Sequence, residues 1–441
     1  MAEIAPLKPL RYDLTKLAAG LGPVVAPPYD VIDAEQRAAL AAAHPHNIVK
    51  LILPEGEGAA KYAHAAAELQ RWLAEGALVR DEQPAFYRYE QTFTPPGGGA
   101  PRTRRGFLGL VKLVPTDQGV VLPHERTLSG PKADRLELFR STRTNLSPGF
   151  MLYSDPERRL DGPLGQGERL AALETADGVS HVLSKISDPA AIKAIVDGVA
   201  SSSLLIADGH HRYETALAYS REIEAGLAEA ARDPRAEHLW FMVFFANGDD
   251  PDLVVFPTHR HVHSLPSFSM DALLEGAKAL FDVRELEPGT PPDALTKLLD
   301  ERRADHALVA CAGDGRTALF TLRAGVDLAA HPVLGACVPA LRTTDIALLH
   351  MGLLEPVLGI TREMQAAKSN LWYPQDTART VAEVRAGKGQ VLFLMNGTPV
   401  GEVRAVAEAG EVMPQKSTFF YPKVLTGLAV HTLDPARRVA G

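Results

Sequence analysis

Leu204-Leu-Ile-Ala-Asp-Gly-His-His-Arg-Tyr-Glu-Thr-Ala-Leu217 is the stretch from which the fold of this chain is read. An apolar run stops at Asp208 and Gly209, two histidines and an arginine follow, and apolar residues then recur at Tyr213, Ala216, Leu217, Ile223 and Leu227. Such spacing marks one face of a helix, so the stretch is expected to be strand, glycine turn, helix. A helix start presents backbone N–H groups and the positive end of its dipole, which suits an anion. Arg212 in the first turn opposes that dipole. His-His-Arg is also poor capping chemistry beside Ser, Thr or Asp. Asp208, Gly209 and Arg212 are therefore expected to bind a ligand, with His210 and His211 as catalytic candidates.

A chain of 441 residues is too long for one ordinary core, so two or three domains are expected. Apolar content of 46% with 23% charged residues belongs to a folded, water-soluble chain. The net charge of −8 argues against a broad nucleic-acid face. Cys311 and Cys337 have no metal-site spacing and suit a reducing compartment. No signal-type apolar segment or membrane-length run occurs, so a cytoplasmic protein with no membrane partner is expected. A homodimer stays open.

Helical and strand patterns alternate along the chain. Helices are expected over 34–43, after Asp33 as N-cap, and over 58–76. Asn47 to Leu53 reads as a buried strand. Phe86 to Phe93 alternates as a strand, and a Gly/Pro loop at 95–101 leads to a second strand from Gly106 to Leu113. Strand–helix pairs are expected at 180–198 and 203–231. Trp240 to Ala246 and Leu253 to Phe256 read as neighbouring strands joined by the turn at 247–250. Residues 269–325 read as helix, strand, helix, strand, strand; a helix at 344–357, a strand at 390–395 and a helix at 399–409 follow. A composition shift near Pro266 divides an N-terminal lobe, 1–265, from a C-terminal lobe, 266–441. The fold class is mixed α/β.

Further polar groups gather at element edges. Pro27-Pro28-Tyr29-Asp30 is a stiff turn that holds Tyr29 and Asp30 still. Glu125, beside His124 after an apolar run, is a candidate general base, as is Asp30. His259, His261 and His263 would share one face of a strand. No carboxylate lies in that stretch, so no metal site is assigned, and His259 with Arg260 contacting an anion is the preferred reading. Met413 to Lys423 packs Lys416, Ser417 and Lys423 among three aromatics, a set able to close over phosphate. The P-loop, Rossmann and nucleophile-elbow patterns do not occur.

Ala26 to Ile32, Ala207 to Ala216, Pro257 to Arg260 and Met413 to Lys423 together resemble the hallmarks of the domain-of-unknown-function family 1015, over nearly the whole chain. Gly209 to Ala216 also resembles the G-x-x-R-x-x-A helix start of the ParB/sulfiredoxin superfamily, whose members bind nucleotide phosphates there. Those members include CTP-dependent partition proteins, sulfiredoxin and free-serine kinases using ADP or ATP. His210 and His211 stand where sulfiredoxin needs its cysteine, which argues against that chemistry. The resemblance implies a ParB/sulfiredoxin-like nucleotide-binding core with an additional α/β lobe. It implies a phosphotransferase acting on a small-molecule substrate, foremost a free-serine or related hydroxy-amino-acid kinase, with ATP or ADP and Mg²⁺. A nucleotide-binding regulator and a histidine-metal hydrolase are the competing classes.

Overall fold

The computed structural model describes residues 1–440 apart from 96, 97 and 128. Part of the loop expected at 95–101 therefore lies outside the described residues. The chain divides into two compact units: Met1–Pro123, Thr127–Leu253 and Pro422–Gly441 form the first, and His124–Arg126 with Val254–Tyr421 form the second. The division falls at Leu253/Val254 rather than after 265, and the last segment returns to the first unit. Composition marks a polar stretch near 266. Membership is decided instead by strand pairing, because Val254–Phe256 pairs with Phe419–Tyr421 in the second unit. Those residues are therefore not the neighbour of the 240–247 strand that the turn at 247–250 suggested.

The first unit is built on a mixed sheet of nine strands among the described residues. They are β1 (Ile4–Ala5), β2 (Phe86–Phe93), β3 (Arg102–Lys112), β4 (Val121–Leu122), β5 (Gly149–Tyr153), β6 (Glu168–Glu174), β7 (Ser180–Ile186), β8 (Leu204–Asp208) and β9 (Trp240–Asn247). Their order is β4-β8-β5-β9-β3-β2-β7-β6, with β1 added alongside β3. β9 lies in the middle and is buried along its whole length, as a strand covered on both faces must be. Here Gly106 is required: a Cβ would meet the Phe244 ring at 2.5 Å and the Phe245 carbonyl closer still.

Alternation along the strands separates two faces. One carries Phe107, Val111, Met151, Tyr153, Phe241, Val243, Phe245, Leu204 and Ile206. It packs under the helices α4 (Ser129–Thr142), α5 (Pro189–Ala200) and α6 (His210–Gly226), which contribute Phe139, Ile195, Val199, Tyr213, Ala216 and Tyr219. Each large side chain so buried contributes about 1.5–3 kcal/mol. The other face carries Tyr89, Phe150 and Phe244 in ring contact. Arg104 stacks over the last two, with its guanidinium carbon 4.7 Å from the Phe150 ring centre and 5.3 Å from that of Phe244.

Three helices lie between β1 and β2 in sequence: α1 (Ala34–Ala43), α2 (Val49–Ile52) and α3 (Gly58–Ala74). Asp33 caps α1 in a capping box with Gln36. α2 lies where a buried strand was expected. Its apolar side chains are buried, but Asn47 starts a helical turn, accepting from Val49 N–H at 2.9 Å and donating to the carbonyls of Pro23 and Val25. A short apolar run does not distinguish the two states.

The second unit holds a six-stranded sheet. With β10 (Val254–Phe256) and β17 (Phe419–Tyr421) as a separate pair, its strands are β11 (Arg260–Val262), β12 (Phe281–Leu286), β13 (Leu308–Ala312), β14 (Thr317–Leu322), β15 (Leu371–Trp372) and β16 (Val391–Met395), in the order β12-β14-β13-β16-β11-β15. Helices α7 (Met270–Ala277), α8 (Pro292–Glu301), α9 (Asp345–Leu349), α10 (Thr377–Arg385) and α11 (Val400–Glu408) complete the pattern read from sequence. Leu295 and Leu299 of α8 and Val381 and Val384 of α10 pack on Val309, Cys311, Leu319, Leu392 and Leu394. No helix among the described residues is long and apolar enough to cross a membrane. The architecture is mixed α/β throughout.

Candidate functional site

β8 and α6 form where the sequence places them, and the turn between them has a feature that spacing alone does not disclose. Ile206 pairs with Met151, but Asp208, two residues on, pairs with Phe150, one residue along. Ala207 is therefore the extra residue of a β-bulge, a device that re-aims side chains. Asp208 is turned away from the helix-covered face that holds Leu204 and Ile206. It comes into register with Phe150, on the face of Arg104. Gly209 follows with φ of 92°, left-handed backbone that costs a glycine little. A Cβ there would come within 3.0 Å of Arg212 Nε.

The Asp208 carboxylate is shared between two cations. Lys423 Nζ donates to Oδ2 at 2.9 Å and Arg212 Nη2 donates to Oδ1 at 3.2 Å. Arg212 is buried and also donates to the Pro148 carbonyl. The cost of a cation in the first turn is thus offset by local partners, in addition to any part it plays toward a ligand. Burial works to raise the Asp208 pKa, but Lys423, and then Arg212, outweigh it and hold the carboxyl far below the ordinary range. His210, buried at the first position of α6, acts in the same direction. His211 is half-buried and its carbonyl accepts from Thr215 Oγ1 at 2.6 Å.

The Tyr29–Asp30 turn belongs to the same neighbourhood. Arg135 stacks on the Tyr29 ring at 4.2 Å. Burial pushes the Tyr29 phenol up, Arg212 opposes this, and Asp30 and Asp208 add to it. Asp30 itself is exposed. Tyr29, Arg135, Asn145, Ser147 and Arg212 line a small cavity. A larger hollow of about 480 Å³ lies against α1 and α3. Alanines line it beside Lys50 and His64, and its Arg37 and Arg71 are paired with Glu55 and Glu68.

Arg104 is the member of this neighbourhood that the sequence reading passed over. It is 1% exposed. One of its terminal nitrogens, Nη2, donates to Gln91 Oε1 and to the Pro422 carbonyl. Gln91 in turn donates to the Lys423 carbonyl at 2.9 Å. The two side chains thus grip the backbone from which Lys423 reaches Asp208. Burial lowers the Arg104 pKa to about 10, against the nearby Tyr89 and Asp208. Its signal was legible: three arginines in Arg102 to Arg105 enter a strand apolar on both faces, so one of them must be buried.

The remaining site candidates assemble in the second unit. Lys416 N–H donates to Glu125 Oε1 at 3.3 Å, and Met413 N–H to the His124 carbonyl at 2.8 Å. Arg260, wholly buried, donates Nη2 to the carbonyls of Gln415 and Lys416, both at 3.1 Å, and Nε to His350 Nε2 at 2.9 Å. His350 Nδ1–H must then donate to Gln365 Oε1, 2.7 Å away. His259 accepts from Met395 N–H at Nδ1, 3.3 Å, and donates Nε2–H to Thr377 Oγ1, 2.9 Å. Ser417 donates to the Pro414 carbonyl. These donors shape the 413–418 loop, and Lys416, exposed at φ 58°, extends from it.

The three histidines expected to share a face do not gather. His261 and His263 both pack on Trp372, at 5.1 and 4.0 Å between ring centres, while His259 bonds to Thr377. Among the described residues no group of three or more His, Cys, Asp or Glu is placed to hold a metal ion.

A mixed α/β scaffold with a charged strand–glycine–helix turn is the class that this fold and site define. The chain belongs to the family described as "Protein of unknown function (DUF1015)", whose model matches residues 4–345. The Met413 to Lys423 motif, taken above as a hallmark, lies beyond the matched residues. Solved structures similar to the chain include a conserved hypothetical protein from Pyrococcus furiosus, at 14% identity and a TM-score of 0.35, covering 73% of this chain and 94% of that one. A free serine kinase in complex with AMP is similar at 13% identity and a TM-score of 0.36, covering 73% and 90%. SbnI with a C-terminal truncation, from Staphylococcus aureus, is similar at 12% and 0.34, covering 73% and 87%. No curated protein matches the chain.

Proposed function

We propose that this chain is a nucleotide-dependent phosphotransferase acting on a small hydroxylated metabolite, with ATP or ADP as donor and Mg²⁺ assisting. The narrower form of the proposal is a kinase of free serine or a related hydroxy-amino acid on a ParB/sulfiredoxin-like core. The observation that carries it is the Asp208 turn, where Lys423 and Arg212 flank a carboxylate at the start of α6. Phosphoryl transfer asks mainly for positioning and charge neutralisation, and two cations at a helix start supply both. Gly209 to Arg212 would hold the nucleotide phosphates, with Lys423 assisting. When bound, Mg²⁺ would neutralise phosphate charge. Asp30 is favoured over Glu125 to accept the hydroxyl proton, since Asp30, Arg212 and Asp208 all act on the one phenol of Tyr29. His210 and His211 stay candidates for a catalytic role, at the first two positions of α6.

Transfer is tested with ATP or ADP, Mg²⁺ and a panel of hydroxy-amino acids, followed by phosphorus NMR. A new phosphomonoester with at least one acceptor is expected. Asp30→Asn should lower turnover by roughly 10²-fold or more with nucleotide affinity held. Nucleotide binding with no transfer to any acceptor would leave a regulator. A folded protein that binds neither ATP nor ADP would remove both readings.

A further inference from the structure

The sheet face that carries Asp208 holds more positive charge than its partners account for. Arg104, Arg212 and Lys423 all act on the same carboxylate, Asp208. Lys423 and Arg212 bond to its two oxygens. Arg104 does not, and its Nε and Nη1 are buried with no hydrogen-bond partner among the described residues. A buried guanidinium that keeps its charge while two donors lack acceptors is strongly disfavoured unless something completes it. The rings of Phe150 and Phe244 cover the flat face of the group but offer no acceptor in its plane. Phe150 is also the register partner of Asp208 across the bulge, so the guanidinium lies at the strand end where α6 begins.

We infer that Arg104, beside Lys423 and the start of α6, forms an oxyanion subsite in which a carboxylate or phosphate oxygen of the ligand accepts from an unsatisfied N–H, Nη1 or Nε. Nε–H and Nη1–H lie on opposite edges of the planar group, so each can take one ligand oxygen in a charge-assisted hydrogen bond, and Nη2 is already used by Gln91 and Pro422. Gln91 fits this assignment. It satisfies Nη2 with a neutral amide oxygen, leaving the positive charge available, and its own N–H holds the Lys423 carbonyl. The choice of probes, but not the subsite itself, rests on the phosphotransferase reading.

Titration calorimetry on the full chain tests the subsite with two pairs of probes. L-Serine against ethanolamine reports on a carboxylate, and ADP against adenosine reports on phosphate. At least one pair should show a preference of tenfold or more for the member that carries the oxyanion. Arg104→Met should reduce that preference to within threefold. Gln91→Glu supplies a near-isosteric internal carboxylate to Arg104, and it decides the matter should Arg104→Met fail to fold. It also forfeits the Gln91 N–H bond to the Lys423 carbonyl, so some loss of melting temperature is expected, but the folded variant should lose the same preference. No oxyanion preference in either pair would mean that ordered water completes Arg104, and it would overturn the inference. So would a preference that survives in folded Gln91→Glu. Arg104-dependent binding without phosphoryl transfer to any acceptor would uphold the subsite and sink the kinase reading.

Discussion

Asp208 shows how one side chain can be set by its surroundings. Its folded pKa lies below the unfolded value of about 3.9, because Lys423 and Arg212 outweigh burial. A depressed carboxyl contributes stability that is present above the unfolded value and is lost as pH falls through the folded one. Asp208→Asn should therefore cost on the order of 2 kcal/mol at pH 7, since it leaves the buried Arg212 and the half-buried Lys423 short of their anion. The difference from the unsubstituted chain should shrink below about pH 4. Urea melts of both proteins at pH 7, 5 and 3.5 check this. Equal stability at pH 7 would mean that the pair is neutral in the fold. At this scale the sequence was informative about Asp208 and Arg212, whose setting is local. It placed Lys423 among the residues able to close over phosphate but did not reveal that it bonds Asp208, 215 positions away, because nothing in spacing shows which distant cation reaches a strand end. Glu125, Lys416 and Arg260, read as candidates alongside Asp208, belong to the second unit.

At the level of elements, β8, the bulge and α6 act as one device. The strand and helix were legible because an apolar run, a glycine and a 3.6-residue period follow one another. The bulge was not, because Ala207 fits the apolar run whichever face it takes. Gly209 is the hinge of this device. Gly209→Ala places a Cβ in left-handed backbone and within 3.0 Å of Arg212 Nε. It should cost about 1–2 kcal/mol from the backbone alone, and it should shift the guanidinium from Asp208. The expected result is a lower melting temperature together with nucleotide affinity weakened at least several-fold. An alanine variant with unchanged nucleotide affinity would show that Arg212 serves only the fold. The helix start marked by chemistry was read correctly at Asp33, which caps α1 as its residue type dictates. The segment at 47–53 was misread because its Leu and Ile residues demand burial and are indifferent to how the backbone achieves it.

Across the whole molecule, acid sensitivity follows from imidazoles held neutral in both units. In the first unit, His181 contacts Tyr89 Oη at 2.6 Å and Thr175 Oγ1 at 3.0 Å, and His431 donates to the Glu237 carbonyl at 3.0 Å. In the second, His259 and His350 are fixed by the bonds already described. Burial is the leading cause in each case, lowering His181 and His431 to about 4 and His259 and His350 to about 3. A histidine with a depressed folded pKa favours the fold above its unfolded value of about 6.5. That contribution is lost as pH falls from there toward the folded value. Each of the four should withdraw on the order of 2 kcal/mol by pH 4.5, two of them in each unit. Stability should thus be nearly flat above pH 7 and fall steadily below pH 6.5. His350→Gln should flatten part of that slope and carry a constant penalty of about 1–3 kcal/mol for disturbing Arg260. Denaturant melts at half-unit steps from pH 7.5 to 4.5 measure both effects. A midpoint that does not move between pH 7 and 5 would mean that these imidazoles accept protons without loss of the fold. Burial would then not be what keeps them neutral.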